Sequence, residues 1–521
     1  MRREEVFDRL AQGGPYDLAI VGGGATGLGV ALDAAARGLS VALVESHDFG
    51  GGTSSRATKL VHGGVRYLAQ GRIGLVREAL HERAHLLRNA PHLAQPIAFV
   101  MPSYKLWETP FHAAGLKVYD ALAGELGLGA TRLLGSGEVR RRLPGLRSAG
   151  LKGGVLYWDG QFDDARLALT LARTAERHGA HVVNHCAATG LVHQDGRVAG
   201  LHCRDAESGR EFQVRAACVV NATGVWVDAL RALDAPGGGG QAAPLVTPSQ
   251  GVHAVVDSAF LPGRDALIVP RTEDGRVLFA VPWLGKVILG TTDTPRRDLP
   301  REPDPLPGEL DFILRESGRY LSHAPRLEDL RSVWVGLRPL VRPQGRDAAR
   351  TASVSREHTI EISRSGLVTV TGGKWTTYRS MAEDVLARCA AGGLLKPTRS
   401  GVTTNLRLVG GDAAGDPAHP LTAPPGLHLY GSDAPVVQAL AGAGRMLGAG
   451  LTEAMVRFAA RHEHARTVED MLARRWRLLF LDAREAARLA PAVAQVLADE
   501  TGTDPQLAAF EALAASYLPP A

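Results

Sequence analysis

A glycine-rich turn near the start of the chain has the residue types and spacing that bind a dinucleotide. Gly22, Gly24 and Gly27 stand in a G-x-G-x-x-G pattern, which permits a tight turn, close approach of a pyrophosphate, and close packing of a helix on a strand. Free N–H groups at the start of the following helix would hold the phosphates. Further on, Glu45 would accept hydrogen bonds from a ribose hydroxyl pair, and its charge disfavours a 2′-phosphate.

The elements that must position this turn form a βαβ unit. Residues 17–21 predict a buried strand, an alanine-rich segment running to Arg37 predicts a helix, and residues 40–44 predict a second strand. A bare glycine pattern also occurs in turns that bind no ligand. Because both strands, the helix and the acidic residue are in register here, we favour a dinucleotide site in an α/β, Rossmann-like domain.

Glycines, hydroxyls and cations alternate after Glu45, a pattern that suits phosphate oxygens; the alternative is a polar surface loop. The candidate cofactor-binding residues of this segment are Thr53, Ser54, Ser55, Lys59, Leu60, His62 and Gly63. Later turns combine small residues with cations, and small residues at a strand end would let the sheet approach the same cofactor. These later candidates are Ala222, Thr223, Gly224, Gly336, Gly372, Gly373, Lys374 and Thr376.

Composition narrows the class of protein. With 521 residues, 45% of them hydrophobic and 22% charged, the chain predicts a globular protein of two to four domains of ~150 residues. No apolar stretch reaches the ~18 residues of a membrane span. The net charge of +5 is scattered, which fits anionic substrates or an acidic membrane surface at least as well as nucleic acid, for which one strong basic stripe would be expected. Acidic residues near the N-terminus disfavour a targeting peptide, so we expect a cytoplasmic protein.

One motif imitates a metal site. His81, Glu82 and His85 match H-E-x-x-H, in which two histidines on one helical face bind zinc. The longer metzincin pattern fails, because Arg88 and Pro91 stand where glycine and histidine are needed. We therefore predict a charged amphipathic helix over 73–90 and no metal site.

Two further patterns concern the later chain. Residues 277–283 and 287–291 predict a β-hairpin and hence an antiparallel second domain, and helices are predicted from about 433 to 515. Residues 474–480 place three arginines and a tryptophan beside an apolar run. On a helix this segment could dock on anionic lipid; the alternative is an ordinary helix with a buried face and solvated arginines.

Taken in order, these motifs resemble the FAD-dependent glycerol-3-phosphate dehydrogenases. The resemblance rests on 22–27, 53–67, 221–224, 290–295, 336–340 and 372–379, and residues 248–253 with Trp375 make it most similar to the mitochondrial type. The sequence contains no D-x-D-x-D-G loop, so we do not expect that type's calcium activation to apply here. The resemblance implies a Rossmann-like FAD-binding domain (1–95, 160–245 and 330–392), an inserted antiparallel-sheet substrate domain (96–159 and 246–329) and a helical C-terminal domain (393–521).

The resemblance also implies an activity. The family oxidises sn-glycerol 3-phosphate to dihydroxyacetone phosphate by hydride transfer from C2 to FAD, and passes the electrons to a membrane quinone. An oxidase that reduces oxygen is the near alternative, and a flavin-containing binding protein without turnover is another. A protein of this family would attach peripherally to the anionic inner face of the cytoplasmic membrane, and a homodimer is compatible with the resemblance.

By the same similarity, six residues surround the substrate: Arg66, Tyr67, His253, Arg338, Arg356 and Lys374. Arg338 and Arg356 offer planar forks for a phosphate. His253, with an ordinary pKa near ~6.5, is predicted to take the alcohol proton while Arg338 stabilises the alkoxide. The alternatives are that His253 only hydrogen-bonds substrate or flavin, and that Lys374 contacts the flavin N1–O2 edge rather than the phosphate.

Overall fold

The computed structural model of the protein describes residues 3–68, 71–234, 243–270, 272–273, 275–342, 357–413, 415–416 and 418–520. The α-helices in these ranges are α1 (Arg3–Gln12), α2 (Ala25–Ala36), α3 (Val65–Leu68), α4 (Ile73–Asn89), α5 (Glu108–Ala123), α6 (Ser136–Arg142), α7 (Asp164–Arg177), α8 (Val227–Ala232), α9 (Glu309–Tyr320), α10 (Tyr378–Ala391), α11 (Ala434–Gln438), α12 (Glu453–His462), α13 (Leu478–Leu481), α14 (Ala483–Thr501) and α15 (Leu507–Ser516). The strands are β1 (Tyr16–Val21), β2 (Val41–Val44), β3 (Leu60–Val61), β4 (Ala94–Ser103), β5 (Arg132–Gly135), β6 (Gly153–Phe162), β7 (His181–Val183), β8 (Cys186–Gln194), β9 (Arg197–Asp205), β10 (Glu211–Asn221), β11 (Val246–Asp257), β12 (Ala266–Val269), β13 (Leu278–Trp283), β14 (Lys286–Gly290), β15 (Thr294–Pro295), β16 (Ser332–Val341), β17 (His358–Ile362), β18 (Val368–Gly372), β19 (Met446–Gly448) and β20 (Leu451–Thr452).

The first sheet confirms the Rossmann-like prediction. Its strand order is β17-β18-β10-β1-β2-β7, and β1 pairs in parallel with both β10 and β2. Apolar side chains of α2, α7 and α10 form one buried core with these strands. Because both faces of β1 and β2 are covered, nearly every residue of the two strands is buried, as expected for a parallel sheet. The carboxyl ends of β1, β10 and β18 therefore lie side by side.

The second sheet is mostly antiparallel, with strand order β15-β11-β14-β13-β12-β4-β6-β3, β16 beside β11 and β5 beside β6. The predicted hairpin is confirmed by β13 and β14, in which Trp283 lies opposite Lys286. β16 pairs with β11 over its whole length, which sets Trp334 opposite His253 and Arg338 opposite Ser249. The domain boundary predicted at residue 330 is therefore wrong for β16: its cross-strand pairing places it in the second sheet, not in the FAD-binding domain.

The C-terminal helices pack against the second sheet. Trp283 and Trp334 of that sheet share one buried core with Trp476 and Phe480. The Ser332 hydroxyl at the start of β16 donates to the Leu479 carbonyl at 2.8 Å. This packing brings the 470–481 segment next to β16, and so next to the strand that carries Arg338.

Of the two interpretations of 474–480, the lipid contact is wrong. Residues Asp470–Arg475 form a π-helix, and Arg474, Arg475 and Arg477 are at most 4% exposed. Arg475 contacts Asp48 at 3.0 Å, and Arg474 contacts Asp470 at 2.9 Å. The alternative of solvated arginines is also wrong, because these guanidinium groups are buried. Each is paired with a carboxylate, as a buried charge requires. In the described part of the chain, no helix is long and apolar enough to cross a membrane.

Candidate active site

The turn after β1 packs directly on the turn after β10. A Cβ on Gly22, whose φ is +112°, would lie 2.6 Å from the Ala222 carbonyl oxygen. A Cβ on Gly27 would clash with the Gly22 carbonyl oxygen. Only glycine allows such close approach of backbone to backbone, which accounts for both ends of the G-x-G-x-x-G pattern.

The same turn leaves the start of α2 accessible. Gly24 is the N-cap residue of α2, and the Ser54 hydroxyl accepts a hydrogen bond from the Ala25 N–H at 2.9 Å. Across from it, a Cβ on Gly224 would meet no atom of the described residues within 4 Å. The backbone of Gly224 thus borders open space close to a helix N-terminus, the kind of position where phosphate groups bind.

Glu45 lies at the rim of this turn, as predicted from its position after β2. Its Oε2 accepts the Gly23 N–H at 2.7 Å, and its Oε1 accepts the His47 N–H at 2.9 Å. The Ser46 hydroxyl also donates to Oε1 at 3.2 Å, so it is Oε2 that retains a lone pair for a ribose. Burial, with the charge of Arg301, lowers the pKa of His47 to about 4. Arg301, which the sequence prediction missed, therefore stands beside the adenosine end of the predicted cofactor site.

The 53–58 segment ties the two sheets together. The Thr53 hydroxyl donates to the Leu337 carbonyl on β16 at 2.7 Å. The Trp375 ring N–H, just beyond β18, donates to the Ser54 carbonyl at 2.7 Å. A Cβ on Gly336 would lie 2.6 Å from the Arg56 carbonyl oxygen. The predicted cofactor residues of three separate parts of the sequence therefore meet at one edge.

His253 is buried at the centre of β11. Its ring is 2% exposed and stacks on Trp334 with the ring centroids 4.0 Å apart. The Nε2 atom and the Thr58 hydroxyl are 3.0 Å apart, whereas the buried Nδ1 has no hydrogen-bond partner among the described residues. Burial, with the charges of Lys59 and Arg338, lowers the pKa of His253 well below its usual value. The imidazole is therefore neutral, with one ring nitrogen available to a ligand.

Arg338 lies on β16, and its side chain is held by backbone carbonyls of β11 and of the turn after β14. Its Nη1 donates to the Gln250 carbonyl at 3.0 Å, and its Nη2 donates to the Thr292 carbonyl at 3.0 Å. Asp293 contacts the same guanidinium at 3.3 Å. The side chain is 22% exposed, so the guanidinium is held in place by the backbone and still reaches solvent. Gly251 is required here, because a Cβ would collide with the guanidinium group.

Lys374 is brought to the other end of the 53–68 segment. Its Nζ lies 3.9 Å from the centroid of the Tyr67 ring, a cation–π distance. Gly63, in the same loop, donates its N–H to the Tyr119 hydroxyl at 2.8 Å, and that hydroxyl donates to Asp159 at 2.9 Å. Gly372 and Gly373, with φ of +82° and +74°, form the turn that presents Lys374.

Lys59 differs from its predicted role. Its ammonium group is fully buried and donates to Asp164 and to the Ser55 carbonyl, both at 2.7 Å. Arg477 donates to the same Asp164 at 3.2 Å, and the Trp334 ring lies 4.6 Å from the ammonium nitrogen. Burial lowers the pKa of Lys59, although Asp164 opposes the shift. The ammonium is therefore not free to hold a cofactor phosphate; it forms a buried cation cluster with Asp164 and Arg477.

The remaining predicted residues have varied outcomes. Thr223 and Thr376 lie in the turns after β10 and β18, and Leu60 begins β3 of the second sheet. His62 is half-buried between β3 and α3. Arg356 lies outside the described residues, and so does the side chain of Arg66.

The zinc-like motif lies on α4, as predicted for an amphipathic helix. Glu82 is buried there, and its carboxylate pairs with Arg379 at 2.9 Å. The His81 ring and the Arg77 carbonyl, one helical turn back, are 2.7 Å apart. The carboxylate that a zinc peptidase would use as its base is therefore committed to an ion pair.

The fold and the glycine-lined edge define a FAD-dependent oxidoreductase. Residues 17–379 match the protein family described as "FAD dependent oxidoreductase". Residues 401–508 match the family described as "C-terminal domain of alpha-glycerophosphate oxidase". The open start of α2, the partly free Glu45 carboxylate and the unpaired Nδ1 of His253 fit FAD, the cofactor of this class.

Similarity to individual proteins identifies the family within this class. A "Probable glycerol-3-phosphate dehydrogenase, mitochondrial" of Caenorhabditis elegans is 41% identical over 538 residues, covering 96% of this chain and 72% of that protein. The human "Glycerol-3-phosphate dehydrogenase, mitochondrial" is 40% identical over 548 residues, covering 96% and 73%. The solved glycerol-3-phosphate dehydrogenase of Bacillus halodurans, complexed with FAD, superposes with a TM-score of 0.78 at 29% identity, covering 99% of this chain and 97% of that one. The chain belongs to the family of FAD-dependent glycerol-3-phosphate dehydrogenases.

Besides Arg301, three side chains at the site were missed from the sequence. Thr58 contacts His253, Trp334 stacks on it, and Asp164 neutralises Lys59. Thr58 stands inside the predicted anion-holding loop, so its position was an available signal. Trp334 and Asp164 carry no local signal, because their roles arise from strand pairing and from burial.

Proposed function

We propose that the protein oxidises sn-glycerol 3-phosphate to dihydroxyacetone phosphate and transfers the electrons to a membrane quinone. The observation that carries the proposal is a neutral, buried imidazole, His253, flanked by the fixed cation Arg338. A phosphorylated secondary alcohol needs both a base and a cation. When bound, FAD supplies the acceptor for the hydride that leaves C2. The other steps fall to the protein's own side chains.

Binding and orientation fall to the cations. Arg338 presents its guanidinium at 22% exposure with its rear N–H groups engaged by carbonyls, so its position is fixed before substrate arrives. Such preorganisation stabilises negative charge on the C2 oxygen more than a mobile lysine would. Lys374, beside Tyr67, is placed to neutralise either the phosphate or the reduced flavin. Arg66 and Arg356 remain predicted substrate ligands.

Proton removal falls to His253. If Nε2–H donates to Thr58, the tautomer leaves Nδ1 as the acceptor. A depressed pKa keeps this nitrogen unprotonated at neutral pH, which is the state that a general base requires. The competing role is a hydrogen bond to substrate or flavin without proton transfer. It uses the same nitrogen, and kinetic measurements distinguish the two roles.

A second candidate differs only in the electron acceptor. The C-terminal match is to a domain described from an alpha-glycerophosphate oxidase, which favours oxygen as the alternative acceptor. Purified protein given glycerol 3-phosphate should reduce a soluble quinone analogue rapidly while consuming oxygen slowly, and glycerol, which lacks the phosphate, should support neither. Rapid peroxide formation with slow quinone reduction would establish the oxidase instead.

The proposed location of the protein follows from a quinone acceptor. A quinone dissolved in lipid requires the protein to reach a bilayer, so we place it peripherally on the anionic inner face of the cytoplasmic membrane. Cell fractionation with and without a high-salt wash tests this placement, since salt screens an electrostatic attachment. A homodimer stays a prediction, and light scattering of the FAD-loaded protein measures it.

A further inference from the structure

The Arg338 guanidinium is held by two stretches of backbone that come from different parts of the second sheet. Its Nη1 donates to the Gln250 carbonyl on β11, and its Nη2 donates to the Thr292 carbonyl in the segment after β14, both at 3.0 Å. Asp293, next in that segment, contacts the same guanidinium at 3.3 Å. The position of the guanidinium therefore depends on how firmly β11 and the segment after β14 are held to each other.

A buried carboxylate joins these two stretches. Glu309 is the first residue of α9 and is 6% exposed. Its Oε2 accepts hydrogen bonds from the Gln250 side-chain amide at 2.5 Å and from the Leu306 N–H at 2.8 Å. Its Oε1 accepts hydrogen bonds from the Thr292 hydroxyl at 2.7 Å and from the Thr294 hydroxyl at 2.5 Å. Both residues whose carbonyls hold the guanidinium are therefore bound, through their side chains, to one carboxylate.

Neighbouring groups fix the directions of these hydrogen bonds. The Val252 N–H donates to the Thr292 hydroxyl at 3.0 Å, so the proton of that hydroxyl is directed at Glu309. Arg296 donates to the amide oxygen of Gln250 at 2.6 Å, so the NH2 group of the same amide faces the carboxylate. Donors that converge in this way need a group that accepts at both of its oxygens. A glutamine in place of Glu309 would set an NH2 group against one pair of donors.

We propose that Glu309 is a positioning residue for the oxidation of glycerol 3-phosphate, acting through the two carbonyls that hold the Arg338 guanidinium. The inference rests on the proposed function, in which Arg338 stabilises the negative charge that develops on the C2 oxygen. A guanidinium set in place before the reaction stabilises that charge better than one that must reorganise. Because a misplacement of about 1 Å can lower a rate by about a hundredfold, loss of this anchor should slow flavin reduction more than it weakens substrate binding.

The test uses FAD-loaded, full-length protein, reduced without oxygen by a series of glycerol 3-phosphate concentrations. In Glu309→Gln the limiting rate of flavin bleaching should fall by about ten- to a hundredfold. The substrate concentration that gives half of the limiting rate should change by less than about threefold. The matched control is Asp311→Asn, which removes an exposed carboxylate from the same helix and should be reduced like wild type. Flavin content and thermal unfolding are measured for each variant.

A double-mutant cycle separates positioning from a general loss of structure. Arg338→Lys removes the guanidinium that Glu309 is inferred to position. If Glu309 acts through Arg338, adding Glu309→Gln to Arg338→Lys should lower the limiting rate by less than about twofold further, because coupled residues do not contribute independently. Losses that multiply in the double variant would show that the carboxylate acts elsewhere.

Thr292 offers a milder change in the same network. Thr292→Val removes the hydroxyl that links Val252 to Glu309, whereas Thr292→Ser keeps it. The limiting rate should fall in Thr292→Val, and Thr292→Ser should recover most of that loss. This pair also tests the inference if Glu309→Gln does not fold. Equal rates in the two variants would overturn the inference.

The outcomes distinguish this inference from the proposed function. Glu309→Gln protein that is reduced near the wild-type limiting rate overturns the positioning role, as does an equal loss in Asp311→Asn. When wild type is reduced by glycerol 3-phosphate and the losses multiply, the positioning role of Glu309 alone is refuted. Wild-type protein that glycerol 3-phosphate does not reduce refutes the proposed function and this role together.

Discussion

Replacing His253 with glutamine tests the proton-transfer role most sharply. A glutamine amide can still reach the position of Nε2, so His253→Gln preserves a hydrogen bond to Thr58, which is 3.0 Å from the ring. It has no atom equivalent to Nδ1, the buried nitrogen that has no partner among the described residues. The substitution therefore removes the predicted base while it keeps the structural contact.

The expected loss of reduction rate in His253→Gln follows from that geometry. A positioned general base contributes about 10²- to 10⁴-fold to a rate, which corresponds to about 3–5 kcal/mol of barrier. If His253 only holds Thr58, His253→Gln retains that contact and the loss should be less than about tenfold. The control Thr58→Val removes the hydrogen bond and leaves the ring stacked on Trp334, so it should also cost less than about tenfold.

Stopped-flow spectroscopy under anaerobic conditions measures the relevant step. The rate at which glycerol 3-phosphate bleaches the bound FAD should fall by about a hundredfold or more in His253→Gln. Flavin content and thermal unfolding are measured alongside, because the ring also packs against Trp334. A variant that folds, binds FAD and is reduced at near the wild-type rate would refute the base assignment.

The pH dependence of the flavin reduction rate tests the role of His253 independently. The pKa of His253 lies well below its usual value because the ring is buried beside Lys59 and Arg338. The base is then neutral throughout the neutral range, so the wild-type reduction rate should not fall as pH decreases from 8 to about 6.5. A His253-dependent loss of rate centred near pH 6.5 would show an unperturbed imidazole and contradict the burial argument.

Three further variants test other parts of the site. Gly27→Ala should abolish FAD binding, because the new Cβ clashes with the Gly22 carbonyl; a normal flavin-to-protein absorbance ratio would contradict this. Asp164→Asn removes the carboxylate of the buried cation cluster and should lower the unfolding free energy by about 3–5 kcal/mol, a prediction refuted by urea melts of the holoprotein that coincide with wild type. Tyr119→Phe deprives the Gly63 N–H of its acceptor and should raise KM for glycerol 3-phosphate about tenfold, whereas unchanged kinetics would separate this contact from the site.

The local architecture of the nucleotide-binding part was predictable from sequence. The strands predicted at 17–21 and 40–44 correspond to Tyr16–Val21 and Val41–Val44, and the helix between them ends at Ala36. These elements combine a periodic apolar pattern with glycines whose conformations only that residue adopts easily. The hairpin of β13 and β14 was predictable for the same reason, since its turn residues lie between two β-rich runs.

The relations between distant segments were not predictable. Nothing local shows that β16 pairs with β11, because register is set by tertiary packing; without that pairing Trp334 could not be placed beside His253. The arginines of 474–477 resemble a lipid-binding patch, yet their partners Asp48 and Asp164 lie far away in the sequence. Charge patterns reveal an interface only when the side chains are exposed, and exposure is a property of the fold. The 474–480 segment does not meet that condition, because its arginines are buried.

The central claim is that a bound FAD lies beside a site that holds and oxidises glycerol 3-phosphate. The most direct measurement is the absorbance spectrum of the purified FAD-loaded protein, recorded without oxygen before and after glycerol 3-phosphate is added. The account predicts that the flavin band bleaches within the dead time of manual mixing, that glycerol without the phosphate leaves it unchanged, and that dihydroxyacetone phosphate appears in an amount equal to the flavin. A flavin that stays oxidised in the presence of glycerol 3-phosphate would contradict it.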